Sequence, residues 1–294
     1  MNNEIISILK KENIHPIAYK KINSVYLVSD KTITYAIKLN INNYDIYKYL
    51  LSKGFNYFPE NYNTIDTNYD ITKYIIPLEV NQIEKINDYL KILSILHFKT
   101  SYIREINLDE IKLNYEKLIN EINDLRNYYM NINDKLDKER FLSPAEYLLL
   151  RNISLIYTTL NISEELLNKT YEIIKNSKSI RVSLLHNNLS LDHLLINEGE
   201  YLISWDKSYF DSPIYEINSF YRKYYNYINI NDFLGIYEKN NKLSETERTL
   251  LIIILSIPKK IEFTNNNYEN TVIVNNEINY LKSIYELLAK YNSV

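Results

Sequence analysis

The stretch PIAYKKINSVYLVSDKTITYAIKL, Pro16 to Leu39, decides the fold class of this chain. It is crowded with Val, Ile, Thr and Tyr, whose branched or aromatic side chains suit a pleated, half-buried backbone. Polar breaks at Ile22-Asn23 and Asp30-Lys31 divide it into three runs, Pro16 to Lys21, Ser24 to Ser29 and Thr32 to Leu39, which predict three short antiparallel strands. Beyond them, Asn43 to Lys53 reads as a helix closed by Gly54, where a helix commonly needs a left-handed residue. Asn68 to Ile76 returns to strand character before Pro77. Residues 1–78 therefore read as a small β-rich lobe, an antiparallel sheet with one helix.

From Asn81 the hydrophobic period changes. Ile83, Ile86, Leu90, Leu93 and Leu96 recur by threes and fours and predict a helix reaching His97. Leu108, Ile111, Tyr115, Leu118, Ile122, Leu125 and Tyr129 do the same along a longer helix. In Ser143-Pro144-Ala145-Glu146 the serine can cap a helix, proline fits its first turn and Glu146 can close a capping box ahead of the apolar run Tyr147 to Leu160. Ser244-Glu245-Thr246-Glu247 repeats the device before a helix that Pro258 ends. One segment breaks the pattern: Arg181 to Leu185 and Tyr201 to Trp205 are strand-like runs flanking a polar loop with His186 and His193, and they predict a hairpin over 181–206. The rest of 79–294 reads as helical. The fold class is thus α+β and bilobal, with the boundary near Ile76 to Val80 and the lobe interface as the default ligand cleft.

Composition excludes several function classes. Among 294 residues, 34 basic and 37 acidic side chains leave a net charge of −3, too balanced for the basic field that phosphate-backbone binding needs, so no nucleic-acid partner is expected. The absence of cysteine removes disulfides, thiolate metal sites and thiol nucleophiles, and fits a reducing compartment. The start MNNEIISILKKENIHP lacks a secretory signal pattern, and the longest strongly apolar run, Leu250 to Ile257, falls far short of the ~20 residues of a membrane span. A cytoplasmic protein with no membrane partner is the expectation. Tyrosine numbers 30, and Asn, Ile and Lys are also abundant, all residues with A/T-rich codons. The clusters Tyr57–Tyr74 and Tyr221–Tyr227 are read as half-buried positions filled by that bias, not as a base-stacking platform.

The order Tyr35-Ala36-Ile37-Lys38, then Leu96-His97-Phe98-Lys99-Thr100, then the polar loop, resembles the aminoglycoside/choline-kinase-type phosphotransferases over most of the chain. Ser143-Pro144-Ala145-Glu146-Tyr147-Leu148-Leu149 and Ser204-Trp205-Asp206-Lys207 are similar to the kinase-like spore-coat group of the bacterial Firmicutes. The resemblance implies a bilobal protein-kinase-like fold with a small N-lobe and an enlarged helical C-lobe, and it implies ATP and magnesium as cofactors. Active members carry a loop His-x-Asp-x-x-x-x-Asn, whose Asp accepts or orients the substrate hydroxyl. That Asn, with an Asp at the end of the next strand, binds the metal that offsets charge on the phosphoryl group.

Here the loop reads His186-Asn187-Asn188-Leu189-Ser190-Leu191-Asp192-His193, and the next strand ends Ile203-Ser204-Trp205-Asp206. The resemblance puts Asn188 at the base position and His193 and Ser204 at the metal positions, with His186 propping the loop. Asp192 and Asp206 stand next to the altered positions as alternative metal ligands. Lys38 matches the lysine that contacts the nucleotide phosphates. The following helix offers Asp45 where a glutamate partner is usual, and the turn Lys21-Ile22-Asn23-Ser24 has no glycine for a close phosphate-covering backbone. In Asp211-Ser212-Pro213-Ile214-Tyr215-Glu216, Pro213 fits a helix entry and Glu216 a structural brace.

Neutral Asn, His and Ser in place of base and metal ligands predict a catalytically impaired pseudokinase, binding nucleotide and magnesium weakly if at all. Its expected role is binding, scaffolding or spore association, with an unidentified small molecule or protein as partner. The rival reading is an active ATP-dependent small-molecule phosphotransferase with non-standard metal ligands.

Overall fold

A computed structural model of the protein describes residues 3–39, 41, 43–63 and 68–289. In chain order the elements are α1 (Asn3–Lys11), β1 (Ala18–Ile22), β2 (Val25–Ser29), β3 (Thr34–Leu39), α2 (Tyr44–Ser52), β4 (Tyr69–Lys73), α3 (Gln82–Thr100), β5 (Tyr102–Glu105), α4 (Leu108–Leu136), α5 (Pro144–Arg151), α6 (Ile153–Ile174), β6 (Ser179–Leu185), β7 (Leu194–Ile196), β8 (Glu200–Leu202), β9 (Tyr209–Asp211), α7 (Pro213–Tyr224), α8 (Ile230–Glu238), α9 (Glu245–Ser256) and α10 (Asn267–Ala289). They form two compact units, residues 1–101 with 183–210 and residues 102–182 with 211–294. The sequence boundary at Ile76 to Val80 lies inside the first unit.

In the first unit, β1-β2-β3-β4 form one antiparallel sheet in that order. The first link is the two-residue turn Asn23-Ser24 between the paired Ile22 and Val25, and Asn23 takes φ +52°, a conformation asparagine tolerates better than most residues. At the second turn the Asp30 carboxylate accepts the Thr32 and Ile33 amides, each at 2.7 Å, and the Tyr35 hydroxyl at 2.9 Å. Those donors hold the Asp30 pKa down to about 2. Side chains alternate between the two faces of a strand, and Val28, Tyr35, Ile37, Tyr69 and Ile71 bury one face of this sheet against Ile5, Ile8 and Leu9. The last three belong to α1, a helix to which the sequence reading assigned no structure. Lys38 and Asp70 consequently sit on the opposite face.

Helix α2 ends as expected, with Gly54 at φ +67° and its carbonyl accepting from Lys99 Nζ. Helix α3 is capped by Asn81, whose side chain accepts the Ile83 amide at 2.8 Å.

The second unit is helical. α6 packs on α4 and α9, and α10 packs on α5. Both predicted capping boxes are present, at Ser143/Glu146 and Ser244/Glu247. The single helix expected through Tyr147 to Leu160 is instead two. Asn152 leaves helical geometry at φ −115°, ψ 10°, and its side-chain amide donates to the Leu148 carbonyl at 2.8 Å, so a local side-chain bond competes with the backbone ladder.

The predicted hairpin also needs correction. Arg181–Leu185 does not pair with Tyr201–Trp205: β6 pairs with β5, Tyr102 opposite Val182, and β8 pairs with β7, Leu194 opposite Leu202. A hairpin closed by the short link after Ile196 orders far less chain than one closed across the whole loop. Among the described residues no helix is long and apolar enough to cross a membrane.

Candidate functional site

Most of the residues singled out in the sequence lie in the first unit, around the loop between β6 and β7. His186 ends the buried part of that loop with no exposed surface. Its Nε2 lies 2.9 Å from the Ile203 carbonyl, and a carbonyl can only accept, so this nitrogen carries the hydrogen. Its Nδ1 lies 3.0 Å from the Tyr89 hydroxyl, which is also 3.3 Å from the Asn188 carbonyl. The Trp205 ring packs edge-on to the imidazole at 4.8 Å and is itself held by Phe55. His186 thus ties α3, the loop and the strand-end residue Ile203 together.

The positions that the resemblance singles out meet each other through this framework. His193 donates Nδ1–H to the Asn188 carbonyl at 2.7 Å, and Asn188 Nδ2 donates to the Ser204 carbonyl at 3.2 Å. Ser204 adopts φ +67°, ψ 58°, a left-handed conformation that non-glycine residues hold only when their surroundings fix it. Its hydroxyl accepts from Lys38 Nζ at 3.1 Å, across 166 residues of sequence. Lys38, Asn188, His193 and Ser204 therefore form one cluster.

Asp192 and Asp206 are both exposed. Asp192 is 3.5 Å from the Ser190 hydroxyl, while the charge of Asp206 reaches the Tyr47 phenol. Asp45 is exposed on α2, and Glu216 is buried on α7 in the other unit.

The sequence reading missed Asp70. It stands directly opposite Lys38 in the β3–β4 ladder and is only 5% exposed. Its Oδ2 accepts from Asn43 Nδ2 at 3.2 Å and from the Tyr47 hydroxyl at 3.1 Å, and its Oδ1 from Asn61 Nδ2 at 2.9 Å. Burial pushes the carboxyl above its ordinary range, against the pull of these donors and of the Lys38 charge. The acid that shares a rung with Lys38 is therefore Asp70 on the neighbouring strand. A lone Asp inside a strand-patterned run was the available signal.

The donor set does not suit magnesium. Asn188, His193 and Ser204 offer an amide, an imidazole and a hydroxyl, all neutral or nitrogen ligands, whereas magnesium favours carboxylate and phosphate oxygens in octahedral geometry. Ser204 Oγ is already bonded to a cation, and among the described residues no group of three or more His, Asp or Glu could hold a metal ion. What remains chemically is a half-buried ammonium with two further N–H donors beside a buried carboxyl group.

Neither a family model nor a curated protein sequence matches the chain. Solved structures do. An aminoglycoside phosphotransferase from Alicyclobacillus acidocaldarius superposes with a TM-score of 0.68 at 13% identity, covering 95% of this chain and 92% of that one. The AMP-bound spectinomycin phosphotransferase gives 0.51 at 14% identity, covering 98% and 92%. At such identities the likeness is one of fold, and this chain has the α+β fold of the kinase-like phosphotransferases.

Proposed function

We propose that this protein is a kinase-fold phosphotransferase relative that has given up phosphoryl transfer and acts by binding, as a scaffold or a spore-associated protein. The observation that carries the reading is the Lys38 Nζ to Ser204 Oγ hydrogen bond at 3.1 Å. It sets the retained lysine against a hydroxyl where the resemblance aligns a metal-binding carboxylate. On the same alignment Asn188 replaces the base. An amide accepts no proton near neutral pH, and loss of a general base costs about 10²–10⁴ in rate. With two neutral side chains at the metal positions, Lys38 alone in this cluster is left to offset the charge that builds up on a transferring phosphoryl group, without the divalent cation that such transfer uses.

The test is transfer of labelled phosphate from ATP in magnesium to hydroxylated acceptors, including aminoglycosides and choline. The expected result is no transfer above the protein-free control. Transfer that Asn188→Ala abolishes would overturn the proposal and restore the rival reading, an active small-molecule phosphotransferase with Asp192 or Asp206 as metal ligand.

A further inference from the structure

We infer that the site takes a phosphate-bearing ligand on Lys38 without a divalent cation, and that a proton on Asp70 supplies the charge balance a metal would otherwise provide. The inference rests on the proposed function, since it assumes that the cluster binds and does not transfer.

Three observations carry it. First, Val25, Lys38 and Asp70 form one cross-strand rung, so the ammonium and the carboxyl project from the same face of the sheet. Directly opposed side chains in such ladders start about 5 Å apart at Cβ, close enough for each charge to feel the other strongly in a partly buried setting. Second, Lys38 gives one N–H to Ser204, a neutral acceptor, which a phosphate oxygen can displace without separating an ion pair. Third, the Asn188, His193 and Ser204 side chains bring no carboxylate, so Asp70 is the acid whose ionisation changes the charge beside Lys38.

Asp70 is built to change protonation in place. The groups facing it are Lys38 from β3, Asn43 just before α2, Tyr47 from α2 and Asn61 from the segment before β4, with Asp206 acting beyond Tyr47. The Tyr47 hydroxyl can donate to the carboxylate and turn to accept from the protonated acid, so the network persists in both states. An arriving anion repels ionised Asp70 and raises its proton affinity. By linkage, binding then takes up a proton, and affinity rises as pH falls through the Asp70 titration, by at most about tenfold per pH unit for one proton. Burial moves that titration above the usual aspartate range. Magnesium enters nowhere, and by chelating a nucleotide it should compete with Lys38.

The experiment measures ADP binding by calorimetry in EDTA and in millimolar magnesium, and sulfate binding by thermal shift across pH. Sulfate is used because its charge stays constant over that range. Expected are ADP binding in EDTA that magnesium does not strengthen, sulfate affinity that falls as pH rises, and loss of both in Lys38→Met. Asp70→Asn should bind sulfate more tightly than wild type at neutral pH and lose most of the pH slope. Where that variant fails to fold, the slope is compared between wild type and His193→Gln: a slope that His193→Gln keeps is expected, and one lost with the imidazole would overturn the inference. ADP binding that requires magnesium, or no binding at any pH, or a flat wild-type sulfate profile, would overturn the inference. Labelled phosphate transfer, by contrast, would overturn the proposed function, so the two failures are read from different assays.

Discussion

Removing the His186 imidazole ring tests how the loop between β6 and β7 is held. His186→Ala deletes the Nε2–H bond to the Ile203 carbonyl, the partner of the Tyr89 hydroxyl at Nδ1, and the edge contact with Trp205. A buried acceptor left unpaired costs about 1–3 kcal/mol, and the lost aromatic contact about 0.5–1.5 kcal/mol. The Tyr89 hydroxyl can fall back on the Asn188 carbonyl, which offsets part of the loss. A net destabilisation of about 2–4 kcal/mol follows, on the order of 5–10 °C in Tm for a chain of this size. Tyr89→Phe should cost about 1–3 kcal/mol, because it takes the hydroxyl donor from the buried His186 Nδ1, while His193 Nδ1 still serves the Asn188 carbonyl. The two changes share a hydrogen bond, so the double variant should be less destabilised than the separate effects imply. Urea and thermal unfolding followed by circular dichroism measure all three variants. A His186→Ala protein within about 0.5 kcal/mol of wild type, the range of an ordinary surface change, would refute the tie between α3, the loop and Ile203.

Other perturbations have equally definite outcomes. Gly54→Ala should lower stability by about 1 kcal/mol through the left-handed backbone at φ +67°, since the added Cβ itself has room, 3.5 Å from Lys99 Nζ. Lys38→Ala should unfold within about 1 kcal/mol of wild type, because a half-buried strand-end lysine adds little to the core; a collapse of apo melting would make it structural. The pKa of Asp30 is lowered in the folded state, so its contribution is present above the ordinary aspartate range and lost as pH falls toward about 2. Stability curves of wild type and Asp30→Asn should therefore converge in acid, and curves that stay parallel would refute the assignment.

The N-terminal sheet was legible in sequence because its first two links are short. Asn23-Ser24 and the turn at Asp30 leave little freedom of register, and the predicted strands lie within two residues of β1, β2 and β3. β4 follows a long connection from α2, so nothing local shows that Asp70 will stand opposite Lys38; tertiary packing chooses that register. The same difficulty hid the partners of β6 and β8, two apolar runs whose composition suits any neighbouring strand. Capping boxes were readable because they are complete within four residues, whereas the break at Asn152 depends on one side chain's choice of hydrogen bond. At the candidate site, the resemblance singled out Lys38, Asn188, His193 and Ser204, and the structure links those four by hydrogen bonds. It could not show that Ser204 would face the lysine.

The most direct test of the account is to restore the motif. Asn188→Asp, His193→Asn and Ser204→Asp together return two carboxylates and an amide, and phosphoryl-transfer sites act as units, so single reversions should do much less than the triple. Tm is measured for wild type and triple variant with nucleotide, with and without millimolar magnesium, alongside labelled phosphate transfer. The account predicts a magnesium-dependent rise in Tm for the triple variant, by ligand linkage, and none for wild type, which also transfers no phosphate. A folded triple variant with no gain over wild type, or phosphate transfer by the wild-type protein, would contradict it.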